Sequence, residues 1–291
     1  MVKAKRVVED LVLEVGEVTF SDVRCHLYGV TPLIMNRFSQ KAWQELLLPS
    51  ARKNRASLEQ TLKHDPLAEF RGSLYKTTET SKAAFHFPTG AFHKAIAQAA
   101  IDLPGAKRAQ IERLTKVIDV NVELFGLPQI YMAMVRNSDI NRTPDVRTRA
   151  IFPEWACQIN VSFVRSIIAP NSVANLIMAA GAIVGIGDWR SEKGGSFGAF
   201  KVVPEDNRQF KHVVERQARA EQMKSYIDPV PYDHDTTDIF TWFTAEIKKR
   251  EKGYLSKADL ELPDVPIHIE RGNASDPQYG GIENSNGRRE L

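Results

Sequence analysis

Strict alternation is the clearest pattern in the chain. In WACQINVSFVR, Trp155, Cys157, Ile159, Val161 and Phe163 are apolar and their neighbours small or polar, which predicts a half-buried strand. The same period runs through VTFSDVRCHLYGV, residues 18–30, where Val23, Cys25 and Leu27 face one way and Arg24, His26 and Tyr28 the other. QIYMAMVRN (129–137) and FGAFKVV (197–203) read as further strands. Between them SDINRTPDVRTRAIFPE, residues 138–154, is too long for a tight hairpin and reads as an arginine-rich connection.

Helical signals fall between the strands. SQKAWQELLL follows Ser39 as a possible cap, the charged stretch PSARKNRASLEQTLKHD reads as exposed, and Asp65-Pro66 forms an N-cap with proline at the first helical position. PTGAFHKAIAQAAIDLPG predicts a helix that starts after Thr89 and stops at Pro104-Gly105. APNSVANLIMAAGAIVG predicts one opened by Asn171 or Ser172 and buried nearly all round. Beyond Pro204, DNRQFKHVVERQARAEQMKSYI and TTDIFTWFTAEIKKREKG read as helices, the second ending at Gly253. From Pro263 the sequence is polar and reads as a tail.

The order strand, helices, strand, strand, helix, strand predicts an α+β fold. It is the ferredoxin-like (RRM-like) βαββαβ core, with a helical insertion at about 39–125 after the first strand and a helical C-terminal extension. The expected organisation is a domain over 1–204, a helical extension over 205–262 and an arm over 263–291.

Composition changes this picture in two ways. Cys25 and Cys157 are the only cysteines of the 291 residues and have no metal-binding spacing, which suits a reducing cytoplasm. No signal peptide or membrane-length apolar run is apparent. Residues 1–203 carry 26 Lys and Arg against 19 Asp and Glu, whereas 204–291 carry 13 against 17. A basic body points to a polyanionic partner; chance variation among solvated faces is the plainer alternative.

Candidate chemistry gathers in GIGDWRSEKGGSFGAF, where Gly185, Gly187, Gly194, Gly195 and Gly198 surround Trp189, Arg190 and Lys193. It lacks the G-K-[ST] of a phosphate loop, and it precedes a strand where a dinucleotide fingerprint would precede a helix. Bare backbone there lets N–H groups approach an anion or another backbone. The stretch resembles the glycine-rich loop of the RAMP superfamily, RNA-binding proteins of CRISPR effector backbones. Together with FPEW (152–155) and FPTGAFHKA (87–95), it looks like a phage- or prophage-type member.

That resemblance implies single-strand binding along a basic groove, side-by-side homo-oligomers, and an arginine-bearing hairpin. Arg136, Arg142, Arg147 and Arg149 stand at the corresponding place and suit phosphate contacts. Arg24, His26 and Tyr28 resemble a stacking platform, unless Tyr28 packs beneath the insertion; Trp189 stacks on a base or anchors its loop. Histidines His26, His93 and His86 are the candidates for acid–base cleavage, and Asp139 or Asp145 for a metal. Cleavage needs a second group within reach, such as Tyr28 or a lysine; a lone histidine on a strand is more often structural and a single carboxylate among arginines more often ion-paired, so binding without catalysis is the reading, with no cofactor. The expected function is sequence-tolerant binding of single-stranded nucleic acid, coating single-stranded DNA in phage replication or recombination. A guide-RNA backbone subunit and a virion protein without nucleic acid are the alternatives.

Overall fold

The computed structural model describes residues 16–37, 64–136 and 143–251. The helix read over 39–48, the stretch 49–63, the connection residues Asp139 and Arg142, and the tail from 263 lie outside the described residues. The chain divides into two compact units, Met1–Phe243 and Thr244–Leu291. The account below concerns the first.

The alternating strands form its centre. Strand β1 (Phe20–Gly29) pairs antiparallel with β8 (Ala156–Val164), setting Cys25 opposite Ile159 and Leu27 opposite Cys157. These side chains, with Val161 and Phe163, lie at most 5% exposed on one face. Fully burying side chains of this size contributes about 1.5–3 kcal/mol each, which fixes the register against a one-residue slip. Strand β9 (Phe200–Val203) pairs with the other edge of β1. The sheet runs β3-β5-β8-β1-β9, with β3 at Phe85–Phe87 and β5 at Val122–Phe125, while β4 (Thr115–Val117) also pairs with β8. The fold is therefore α+β with antiparallel sheets.

Two corrections concern strands. Residues Gln129–Arg136 (β6) do not join the main sheet but pair with β7 (Pro144–Phe152), which pairs in turn with β2 (Leu33–Met35). The expected arginine-rich connection is thus largely a strand. Thr148, Ala150 and Phe152 face inward at 0% exposure, while Arg147 and Arg149 occupy the alternate positions and break the apolar signal. The insertion is likewise not only helical. It contains β3, β4 and β5, each too short to display a period.

Helix α1 (Pro66–Gly72) starts as read, with the Asp65 side chain accepting from Ala68 N at 3.0 Å. Helix α2 (Thr89–Ala99) ends before Pro104, and α3 (Arg108–Leu114) follows. Helix α4 (Pro170–Ala179) opens at Pro170, not at Asn171 or Ser172, because proline's fixed φ suits the first turn. It widens into a π-turn over Ala180–Val184, and Met178 and Ile183 remain exposed rather than buried. Residues 206–227 form two helices, α5 (Arg208–Arg216) and α6 (Arg219–Ile227), and α7 spans His234–Glu251. Phe92 of α2 packs against Phe87 and Phe200, with ring centres 5.9 and 6.4 Å away, and so locks α2 onto the sheet.

Candidate nucleic-acid interface

The glycine-rich loop leaves the π-turn at Gly185, whose φ is 71°. It then doubles back on itself. Ile186 N donates to Gly198 O at 3.0 Å, and Phe197 N to Trp189 O at 3.2 Å. Strand β2 and the turn before it are stitched to it: Asp188 N donates to Ile34 O at 3.0 Å and Gly198 N to Pro32 O at 2.8 Å. Gly198 has φ 73°, and a Cβ there would run into the Ile186 carbonyl oxygen. Gly187 and Gly195 similarly face the carbonyls of Ile34 and Trp189. Much of the bare backbone is accounted for by this self-packing, without a ligand.

One face of the loop borders a groove of about 710 Å³. The first turns of α2, with Gly90, Ala91 and Lys94, form the opposite wall; Arg108, Arg190 and Lys193 also line it. Pro88 stands at the N-cap of α2 and offers no side-chain cap, so the helix's N-terminal N–H groups and positive dipole end border the same space. Asp188 and Glu192 are the acidic members of the lining. Arg190 Nη2 lies 2.7 Å from Glu192 Oε2, and Lys193 Nζ 3.5 Å from Glu192 Oε1. Burial works to raise the Glu192 carboxyl, but hydrogen bonds and charge from Arg190 and Lys193 outweigh it and hold the group below its usual range. Four cations against two carboxylates leave the groove positive. Lys94 and Arg108 were absent from the sequence reading. They precede the loop by many residues and reach the groove only through the packing of α2, which carries Lys94, and of α3, which begins at Arg108.

The loop's other face meets the second sheet. Tyr131, Arg147, Arg149, Asp188 and Trp189 line a shallow hollow there. Arg149 Nε stands 3.8 Å from Asp188 Oδ2. Burial pulls the Arg149 guanidinium below its usual value while Asp188 opposes the shift, and at any ordinary pH it stays charged. Arg136 is exposed at the end of β6. Asp145, weighed as a metal ligand, receives His64 Nε2 at 3.0 Å, and Glu69 holds His64 Nδ1 at 2.8 Å.

The expected stacking platform is covered. Tyr28 is 8% exposed, and Phe210 and Val213 of α5 pack over it. Its hydroxyl donates to Glu154 Oε1 at 3.1 Å, and Lys201 Nζ stands 5.4 Å over its ring. His26 meets Phe210 edge to face at 5.0 Å. The cover is the C-terminal extension, not the insertion. Its signal was legible in RQFKHVVER, where Phe210 and Val213 lie three apart on one helix face. Arg24 stays exposed beside Asn160 Oδ1 at 3.3 Å. His93 Nε2 lies 3.2 Å from the Glu112 carbonyl, and His86 is half-buried beside Tyr75.

No protein-family model matches the chain, and no curated protein matches it. Among solved structures it is similar to Cmr6 from Pyrococcus furiosus, at 8% identity and a TM-score of 0.29, over 64% of this chain and all of that one. A likeness of that degree does not define the fold. No helix among the described residues is long and apolar enough to cross a membrane.

Proposed function

We propose that the chain binds single-stranded nucleic acid without strong sequence preference, with the strand's phosphates in the groove between α2 and the glycine-rich loop. The observation that supports this best is the convergence of Lys94, Arg108, Arg190 and Lys193 with an uncapped helix N-terminus on one groove of about 710 Å³. Phosphates take their affinity from such cations and N–H groups, whatever the base. The main sheet is read as a ferredoxin-like core: the order β9-β1-β8-β5, all antiparallel, is the one that fold requires, with β5 in the second-strand position and α2 and α4 as its two helices. Membership of the RAMP superfamily is proposed on the place of the glycine-rich loop between α4 and β9. The domain limits at 204 and 262, and the coating of single-stranded DNA by successive copies, belong to the same proposal.

The test is fluorescence anisotropy with matched DNA and RNA single strands and duplexes at graded salt. Single strands bind in preference to duplexes, and log affinity falls linearly with log salt. Absence of salt-dependent binding to any strand overturns the reading in favour of protein contacts.

A further inference from the structure

We propose that Glu192 is an internal competitor for the strand. In the unbound protein its carboxylate takes the place of a phosphate on Arg190 and Lys193, and an entering strand displaces it. This rests on the single-strand reading and adds a means of regulating that same groove.

Three observations carry it. The first is how fully the carboxylate occupies the two loop cations. Arg190 Nε and Nη2 stand 2.9 and 2.7 Å from Glu192 Oε2, and Arg190 Nη1 donates to Gly187 O at 3.3 Å. Every nitrogen of the guanidinium is engaged, and Lys193 Nζ lies 3.5 Å from the other carboxylate oxygen. A guanidinium receives carboxylate and phosphate through the same planar fork of donors, so the two anions exclude one another there.

Second, these ion pairs are not what shapes the loop. The turn at Ser191–Lys193 is closed by the backbone, with Lys193 N donating to Arg190 O at 2.8 Å, Gly194 N to Ser191 O at 3.0 Å and Gly195 N to Arg190 O at 3.1 Å. The Arg190, Glu192 and Lys193 side chains are 32%, 22% and 62% exposed. Ion pairs this open to solvent add little to stability.

Third, the other groove cations are not held in this way. Lys94 and Arg108 are exposed and have no carboxylate partner among the described residues. Asp188, the second acid of the lining, is turned to Asn36 Nδ2 at 3.2 Å and lies 3.8 Å from Arg149 Nε. The groove therefore presents two uncommitted cations beside two committed ones. A lone phosphate at Arg190 meets a carboxylate from the same turn, at the high effective concentration of an intramolecular partner. A strand already held by Lys94 and Arg108 brings its next phosphates at a comparable effective concentration.

The experiment uses the full-length chain, Glu192→Gln and, as a control with the same change of charge, Glu112→Gln, whose side chain is exposed on α3. Anisotropy with a thymidine strand of about 15 residues is measured at graded salt. Glu192→Gln is expected to bind about fivefold tighter than the unaltered protein. Its slope of log affinity against log salt stays the same, and its melting temperature falls by no more than about 2 °C. Glu112→Gln stays within about twofold of the unaltered protein. Equal or weaker binding by Glu192→Gln overturns the proposal, because the carboxylate then positions the cations. An equal gain in both variants overturns it as an effect of net charge. A Glu192→Gln slope steeper by about 1.4 overturns the displacement, since Glu192 then keeps both partners while the strand is bound. A larger fall in melting temperature makes the pair part of the loop's fold and overturns it as well. Failure of all three proteins to bind the strand removes the single-strand reading itself.

Discussion

Arg149 on strand β7 and Asp188 in the glycine-rich loop face each other at 3.8 Å, with side chains 22% and 32% exposed. The pair joins two segments that lie far apart in sequence, the arginine strand and the loop. It also divides the cations into two sets. Arg149 is committed to holding the loop against the second sheet, whereas Lys94 and Lys193, both exposed, face the groove.

A structural role for the pair predicts coupling. Arg149→Met and Asp188→Asn, made singly and together, should destabilise the fold non-additively, with an interaction energy on the order of 1 kcal/mol. Chemical denaturation of the four proteins measures it. Additive effects would mean that the two side chains are neighbours without energetic connection.

The loop's glycines should separate by what stands beside them. Gly198→Ala combines a left-handed backbone with a collision against the Ile186 carbonyl and should cost more than about 3 kcal/mol. Gly194 has φ 76° but nothing within 4 Å of an added Cβ, so Gly194→Ala should cost only about 1 kcal/mol. Similar melting temperatures for the two variants would contradict the self-packed loop.

How much of this was legible depended on how local the signal was. The β8 alternation from Trp155 to Phe163 survives in sequence because large apolar residues fill every inward position. In β7 the inward positions include Thr148 and Ala150, and arginines fill outward ones, so the same period is present without apolar contrast. Arg190 and Lys193 were found because they sit within the glycine cluster. Lys94 and Arg108 were missed because only tertiary packing brings them there. Tyr28 looked open because its cover, Phe210, lies on a helix beyond the last strand.

The covered face yields a pH prediction. Burial first, then the charge and hydrogen bond of Glu154, push the Tyr28 hydroxyl above its usual value. A raised folded value favours the neutral phenol, so this stabilisation is fully present below the ordinary tyrosine range and is lost as pH climbs through the raised value. In an ultraviolet titration of the native protein, one late-titrating tyrosine should vanish in Tyr28→Phe. Tyr131 is raised too, chiefly by burial and then by Asp233, and should remain late. If Tyr28→Phe leaves the titration curve unchanged, α5 does not cover this face in solution.

The phosphate groove at the glycine-rich loop is the central claim, and the salt dependence of binding by Lys94→Gln/Lys193→Gln tests it most directly. Neither lysine is buried, so the melting temperature should hold. Each phosphate contact on a single strand contributes about 0.7 to the slope of log affinity against log salt. The double variant should bind more weakly, with a slope shallower by about 1.4. A slope identical to that of the unaltered protein, with binding intact, would put the strand somewhere other than this groove.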